Sequence, residues 1–168
     1  MSSSERKLDS SKLDSSIEPI VEAVGFRLST ATVLFHAAVA ERLGINVTDV
    51  KCFSLVQQRG PMTAGELAEQ TGLTTGAITG VVDRLEKAGL VQRVRDTTDR
   101  RRVILQVPHN PALEQTLQQL YGPMGSAITH LVESYDEAER ATILEFLTKA
   151  TDILEDATRD LRRAGGRQ

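Results

Sequence analysis

The sequence predicts a mainly α-helical chain with one small β-hairpin, and three observations carry that reading. At both ends of the chain apolar residues recur at alternating steps of four and three, the spacing of one buried helix face. Aromatic residues are only 4% of the 168 positions and Trp is absent, so Leu, Ala, Ile and Val supply most of the core. That composition favours helix packing. Between the helical ends, Leu90 to Val107 changes to a strand-like pattern around a polar turn.

The first sixteen residues, MSSSERKLDSSKLDSS, are Ser-rich and polar and read as a disordered arm with no apolar signal core. Ile17, Val21, Val24, Leu28, Ala31, Phe35 and Ala38 then form one stripe on a helix ending near Gly44. Residues 17–45 are expected to be a dimerisation helix. The most apolar run, Ala31 to Ala40, is about half the length of a membrane-spanning helix, so no membrane is expected. A second helix is predicted from Thr48 to Gln58, carrying Val50, Phe53, Leu55 and Val56 and stopped by Gly60-Pro61.

Thr63-Ala64-Gly65-Glu66 is a capping box, Thr at the N-cap and Glu three residues on. It opens a short helix, Ala64 to Gln70. Thr71-Gly72-Leu73 follows as a tight turn, with Gly where a helix end favours it. Thr74 or Thr75 caps the next helix, whose buried face is Ile78, Val81, Val82 and Leu85 and which Gly89 ends. Leu90 to Arg95 and Arg102 to Val107 are the strands of a hairpin, Asp96 to Arg101 is its turn, and Pro108 and Pro111 close it. Residues 46–108 therefore make a winged helix-turn-helix.

The last third, residues 109–164, is helical again. Leu113, Leu117, Leu120, Met124, Ala127 and Leu131 form one stripe, with a kink or break expected at Gly122-Pro123. Asp136-x-x-Glu139 caps a final helix striped by Ile143, Leu147, Ala150, Leu154, Ala157 and Leu161, and residues 165–168 are a tail. These stripes are too long for so small a middle domain to cover. They bury each other most economically in a homodimer; the alternative is a monomeric helical bundle.

A helix-turn-helix followed by a basic hairpin is what reading double-stranded DNA requires: one helix for the major groove, the hairpin for the adjacent backbone or minor groove. The net charge of −3 speaks against nucleic acid, but its distribution does not. From Asp83 to Arg102, seven basic residues (Arg84, Lys87, Arg93, Arg95, Arg100, Arg101, Arg102) oppose four acidic ones, a local balance of +3. The candidate base-reading positions are Thr74, Thr75, Gly76, Thr79 and Gly80, with Thr63 at the head of the preceding helix. Thr can hydrogen-bond a base edge or offer its methyl to thymine. Arg84, Lys87, Arg93 and Arg95 are candidate phosphate contacts. At the wing tip, Asp99 can pair with an arginine to fix the loop while another of Arg100, Arg101 and Arg102 enters a narrow minor groove. The bland counterparts are helix caps, packing glycines and a solvated charged turn.

Glu66-Leu67-Ala68, Gly72-Leu73, Val82-Asp83-Arg84-Leu85-Glu86-Lys87-Ala88-Gly89-Leu90-Val91 and Asp96-x-x-Asp99-Arg100-Arg101 resemble the MarR family of transcriptional regulators. The resemblance implies a triangular homodimer with interleaved terminal helices and one winged helix per subunit. It also implies a pseudo-palindromic duplex, usually repression of nearby transcription, and release by a small phenolic or anionic effector, or by oxidants acting on cysteine. By that analogy Arg27, Phe35, His36, Phe53 and Tyr121 are the candidate effector contacts, although Phe35 and Phe53 also suit a core. Two places depart from the family pattern: Gly76 and Gly80 stand where many relatives carry polar or basic side chains, and Gln106-Val107-Pro108-His109-Asn110 replaces the usual Leu-Thr-x-x-Gly.

The single cysteine, Cys52, excludes an intrachain disulfide and suits a reducing cytoplasm. It is either a small buried hydrophobe or a redox switch beside Lys51. His36, His109 and His130 show no ligand spacing, so neither a metal nor any other cofactor is expected. No phosphate loop, nucleophile elbow or metalloprotease signature is present, so no catalytic residues and no enzyme are expected. The competing function is a winged helix that assembles proteins and binds no DNA.

Overall fold

The computed structural model describes residues 17–97, 99 and 101–165. The polar arm over residues 1–16, Arg100 of the wing and residues 166–168 of the tail lie outside the described residues. The elements are α1 (Ile17–Glu22), a π-helical stretch (Ala23–Leu28), α2 (Ser29–Leu43), α3 (Val47–Arg59), β1 (Met62–Thr63), α4 (Ala64–Thr71), α5 (Thr75–Lys87), β2 (Gln92–Arg95), β3 (Val103–Gln106), α6 (Pro111–Glu133) and α7 (Glu137–Gly165). The chain divides into two compact units, residues 1–51 and 52–168, the boundary falling inside α3.

In the first unit, α1, the π-helical stretch and α2 run as one helix, Ile17–Leu43. Ser29 Oγ donates to the carbonyls of Gly25 and Phe26, and Thr32 Oγ1 to that of Leu28, back-bonds that accompany irregular helix turns. Gly44 ends the helix in the left-handed conformation, φ 67°, where glycine carries no Cβ penalty. The apolar segment is longer than its most apolar run suggested. By length and composition alone, this helix of 27 residues could cross a membrane. Within α2 only Val39 and Ala40 are buried. Asn46 and Asp49 exchange side-chain and backbone hydrogen bonds, 2.9 and 3.3 Å, in a second reciprocal cap that starts α3.

In the second unit the core is built from Cys52, Phe53 and Val56 of α3, Met62 of β1, Leu67 of α4, Ile78, Val81, Val82 and Leu85 of α5, then Leu90, Val91, Leu105 and Leu113. The three strands form an antiparallel sheet in the order β1-β3-β2. The hairpin register pairs Arg93 with Leu105 and Arg95 with Val103, and β1 adds Met62 opposite Leu105. Nothing local in Met62-Thr63 announces a strand; β1 exists because β3 offers it an open edge.

Both predicted caps of the helix-turn-helix form. Thr63 and Glu66 make the reciprocal capping box, and the Thr74 hydroxyl accepts from the Ala77 amide at the start of α5. The departure after the wing is accommodated by another cap: Asn110 Oδ1 accepts from the Ala112 and Leu113 amides, and Pro111 occupies the first turn of α6. Of the kink or break expected at Gly122-Pro123, the break does not occur, for α6 continues through Pro123 to Glu133. Proline disfavours helical backbone in its predecessor partly by striking that residue's Cβ, and Gly122 has none. Asp136 and Glu139 cap α7 reciprocally. No side chain described in α7 is buried.

Candidate nucleic-acid interface

α5 divides cleanly. Its apolar side chains enter the core, while Thr75, Gly76, Thr79, Asp83 and Arg84 are exposed on the other side. An added Cβ at Gly76 would meet nothing within 4 Å, so a second molecule can approach the backbone closely there. At Gly80 it would meet Arg84 Nη1 at 3.4 Å, so that glycine makes room for the Arg84 side chain to lie back along the helix. The Thr79 hydroxyl donates to the Thr75 carbonyl, 2.9 Å, which occupies its donor and leaves its methyl as the group to offer. Thr63 is held by Glu66 through both its amide and its hydroxyl, 2.6 and 2.8 Å, and so serves the start of α4.

The wing turn is organised by its two aspartates. The Asp96 amide donates to the Arg102 carbonyl and the Arg102 amide to the Asp99 carbonyl, 3.0 and 2.9 Å. Asp99 Oδ1 accepts from the Arg101 amide, 3.0 Å. The expectation that Asp99 fixes the loop by pairing with an arginine side chain is replaced, among the described residues, by this bond to backbone. Short acidic side chains hold backbone amides in tight turns, which explains the Asp-x-x-Asp spacing.

The arginines fall into two groups. Arg93 is expected to meet phosphate, but the structure commits it internally. Its Nη2 donates to Asp83 Oδ1 at 2.6 Å, its Nη1 to Glu86 Oε2, and its amide to Glu86 Oε1 at 3.0 Å. Asp83 and Glu86 lie three residues apart on α5 and clasp one guanidinium from β2, tying the wing to the recognition helix. The hydrogen bond to Asp83, followed by Glu86, raises the Arg93 guanidinium further above its ordinary range. Arg102 Nη2 likewise reaches Glu66 Oε1 at 3.3 Å. Glu66 is held below the usual carboxylate range, chiefly by the Thr63 amide and hydroxyl and less by Arg102. Arg95 and Arg101 are exposed, and no side-chain partner engages either among the described residues.

The five effector candidates are distributed differently. Phe35 and His36 meet edge to face, ring centroids 5.7 Å apart, and His36 Nδ1 donates to the Thr32 carbonyl at 2.8 Å. Burial, then the Lys51 charge, pushes the imidazole below its ordinary value against the opposing pull of Thr32. Arg27 is exposed on the π-helical stretch. Phe53, 1% exposed, is a core residue. Tyr121 is half-buried; burial raises its phenol, partly offset by a hydrogen bond with Ser54. Cys52 is fully buried, the environment of a small hydrophobe and not of an accessible thiolate.

The model of the MarR family matches residues 45–103. An uncharacterized HTH-type transcriptional regulator of Bacillus subtilis, YcgE, is 44% identical over 137 residues, covering 82% of this chain and 88% of the relative. The HTH-type transcriptional repressor NicR of Pseudomonas putida is 30% identical over 153 residues, 88% of this chain and 94% of the relative. In structure, FabT of Streptococcus pneumoniae, solved in complex with DNA, superposes with a TM-score of 0.62 at 20% identity, covering 84% of this chain and 99% of its own. The chain belongs to the MarR family of DNA-binding, helix-turn-helix transcriptional regulators and is not an enzyme.

Proposed function

We propose that the protein is a homodimeric repressor of nearby genes, released from a pseudo-palindromic operator by a small effector. Each subunit lays α5 in a major groove, and the two winged helices sit about one helical turn of DNA apart. Arg95 and Arg101 meet the adjacent phosphates or minor groove. The observation that carries this reading is the division of the wing cations: Arg93 and Arg102 brace the wing through Asp83, Glu86 and Glu66, which leaves Arg95 and Arg101 available. The repressor role is supported by the likeness to NicR, a transcriptional repressor, and the DNA geometry by the FabT complex.

The homodimer is supported by the exposed apolar side chains of the terminal helices. Leu144, Leu147, Leu154 and Leu161 of α7 and Val21, Phe26, Val33 and Leu34 of the first helix are all open to water. A second copy covers them at least cost, and such a regulator works in the cytoplasm, where its duplex is. A phenolic or anionic effector meets Phe35 and His36, with Arg27 as the nearby cation in sequence. It regulates only through different affinities for the DNA-competent and DNA-incompetent spacings of the winged helices.

The test is a fluorescence-anisotropy titration with duplex from the chain's own upstream region and a scrambled duplex, each at two salt concentrations. The expected result is selective binding at one dimer per site. Arg95→Ala and Arg101→Ala each remove one phosphate interaction per subunit, two per bound dimer, and so each lowers the slope of log affinity against log salt by about 1.8. Selective binding with both slopes unchanged would sink this assignment of the two arginines.

A further inference from the structure

The C-terminal helix reaches back to the turn that aims the recognition helix. Arg162, near the end of α7, donates from Nη2 to the Thr71 carbonyl at 2.5 Å, a contact across 91 residues of sequence. Thr71 is the last residue of α4, and carbonyls at a helix C-terminus lack intrahelical partners and carry the negative end of the dipole. A guanidinium is well matched to such a carbonyl. The next residue, Gly72, has φ 69°, and a Cβ there would lie 2.5 Å from Arg162 Cζ and 2.8 Å from Nη1. The arginine thus lies flat against bare backbone, in space that any other residue at position 72 would fill. Three residues on, Thr75 begins α5.

Packing around this contact is sparse. Between α3, α4 and α7 lies an open groove of about 450 Å³, bounded by Leu55, Arg59, Glu69, Leu154, Thr158 and Arg162. Leu154, which faces it, is 64% exposed. With so little apolar contact beside it, the Arg162 bond has a large share in fixing the angle between α7 and the helix-turn-helix.

We propose that Arg162 is a positioning residue for DNA recognition: from the end of α7 it grips the turn at Thr71-Gly72 and sets the attitude of α5. Displacement of α7 is then passed directly to the reading head. The proposal adds a part to DNA recognition by α5 and rests on that recognition.

The experiment compares the full-length protein with Arg162→Ala, Arg162→Lys, Gly72→Ala and the Arg162→Ala/Gly72→Ala double variant. The upstream duplex is titrated at several salt concentrations, and amide hydrogen exchange is followed without DNA. Arg162→Ala is expected to weaken operator binding about fivefold, with the salt slope and the oligomeric state unchanged. Arg162→Lys, which keeps a donor but loses the planar stack, recovers part of the loss. Exchange at Gly72 and Leu73 quickens in Arg162→Ala. Gly72→Ala costs more affinity in the parent than beside Arg162→Ala, because the side chain it strikes is then absent. A slope lowered by about 1.8 would make Arg162 a phosphate contact in both subunits and overturn the proposal. Unchanged affinity, additive effects of the two substitutions, or a loss traced wholly to dissociated subunits would overturn it as well. The exchange arm uses no DNA, so a chain that binds no upstream duplex but shows the quickened exchange would refute the function and not the Arg162 grip.

Discussion

α5 and α7 carry apolar residues at the same helical spacing and meet opposite fates. Ile78, Val81, Val82 and Leu85 of α5 are sealed in the core, whereas Leu147, Leu154 and Leu161 of α7 are 44, 64 and 75% exposed. The period of a stripe states that a face is to be buried and says nothing of what buries it. For α5 the partners lie close by in the chain, on α3, α4 and the sheet. For α7 the described residues of the second unit cover little of the stripe: Ile143 and Ala150 are half-buried, and the leucines stay open to water. One region is a sealed core, and the other is the open face that the proposed homodimer would cover.

The largest effects come from breaking each region in its own way. Leu85→Ala removes methyl groups from a sealed core and should cost about 2–5 kcal/mol of stability, independent of protein concentration. Leu154→Glu combined with Leu147→Glu touches no buried site. It should leave the far-ultraviolet circular dichroism spectrum intact, convert the proposed homodimer to monomer in sedimentation, and lower operator affinity on the order of 100-fold through lost bivalency. A charged pair of substitutions that left the protein dimeric would show that α7 is not the interface. A Tm for Leu85→Ala equal to the parent's would show that the reading head is looser than its burial implies.

The contrast also separates what the sequence could announce from what it could not. The helix-turn-helix was legible because its signals are local: Thr63 speaks to Glu66 three residues away, Thr74 to Ala77, and Gly72 and Gly89 end helices by their own backbone freedom. The wing showed in the change of period and in the paired aspartates. What escaped depends on distant partners. β1 is two residues long and exists through β3. Arg93 reads as a phosphate ligand until the hairpin folds it onto Asp83 and Glu86, although two acids three apart on α5 were a sign that a cation would be received there. Pro123 reads as a breaker by its own chemistry, and it is Gly122 before it that lets α6 continue. Arg162 lay in a run suited to any helix end, and only the fold shows that it grips Thr71.

Within the reading head, Arg93 and Arg95 lie on one strand and should fail differently. Arg93→Ala unties the wing from α5 and leaves Asp83 and Glu86 unpaired beside the DNA. It should cost about 0.5–1 kcal/mol of stability, since the pairs are partly exposed. Operator affinity should fall with little change in salt slope, because no phosphate interaction is removed. Arg95→Ala should leave stability within about 0.5 kcal/mol of the parent and lower the slope by about 1.8, one phosphate interaction being lost in each subunit. Urea denaturation beside anisotropy at several salt concentrations checks both, and the reverse pattern would exchange the two roles.

The smallest effect is in acid, and it distinguishes the two units. Glu66 is held below its ordinary value of 4.5, so the unfolded chain takes up the proton first as pH falls. Its stabilising contribution is complete above 4.5 and is lost as pH descends from there to the folded value. His36 in the first unit is also lowered, from 6.5, and here too the unfolded chain protonates first. Its contribution is full above 6.5 and declines below it, in an earlier window. Stability measured from about pH 3 to pH 8 should therefore lose its low-pH slope in Glu66→Gln and the slope just below 6.5 in His36→Gln, each substitution leaving the other window intact. If Glu66→Gln shifted stability equally at every pH, the Thr63 cap and the Arg102 pair would not be favouring the charged carboxylate, and the wing would owe nothing to that charge. If instead the two windows merged, the titrations would be coupled, and the first helix and the reading head would respond to acid as a single unit.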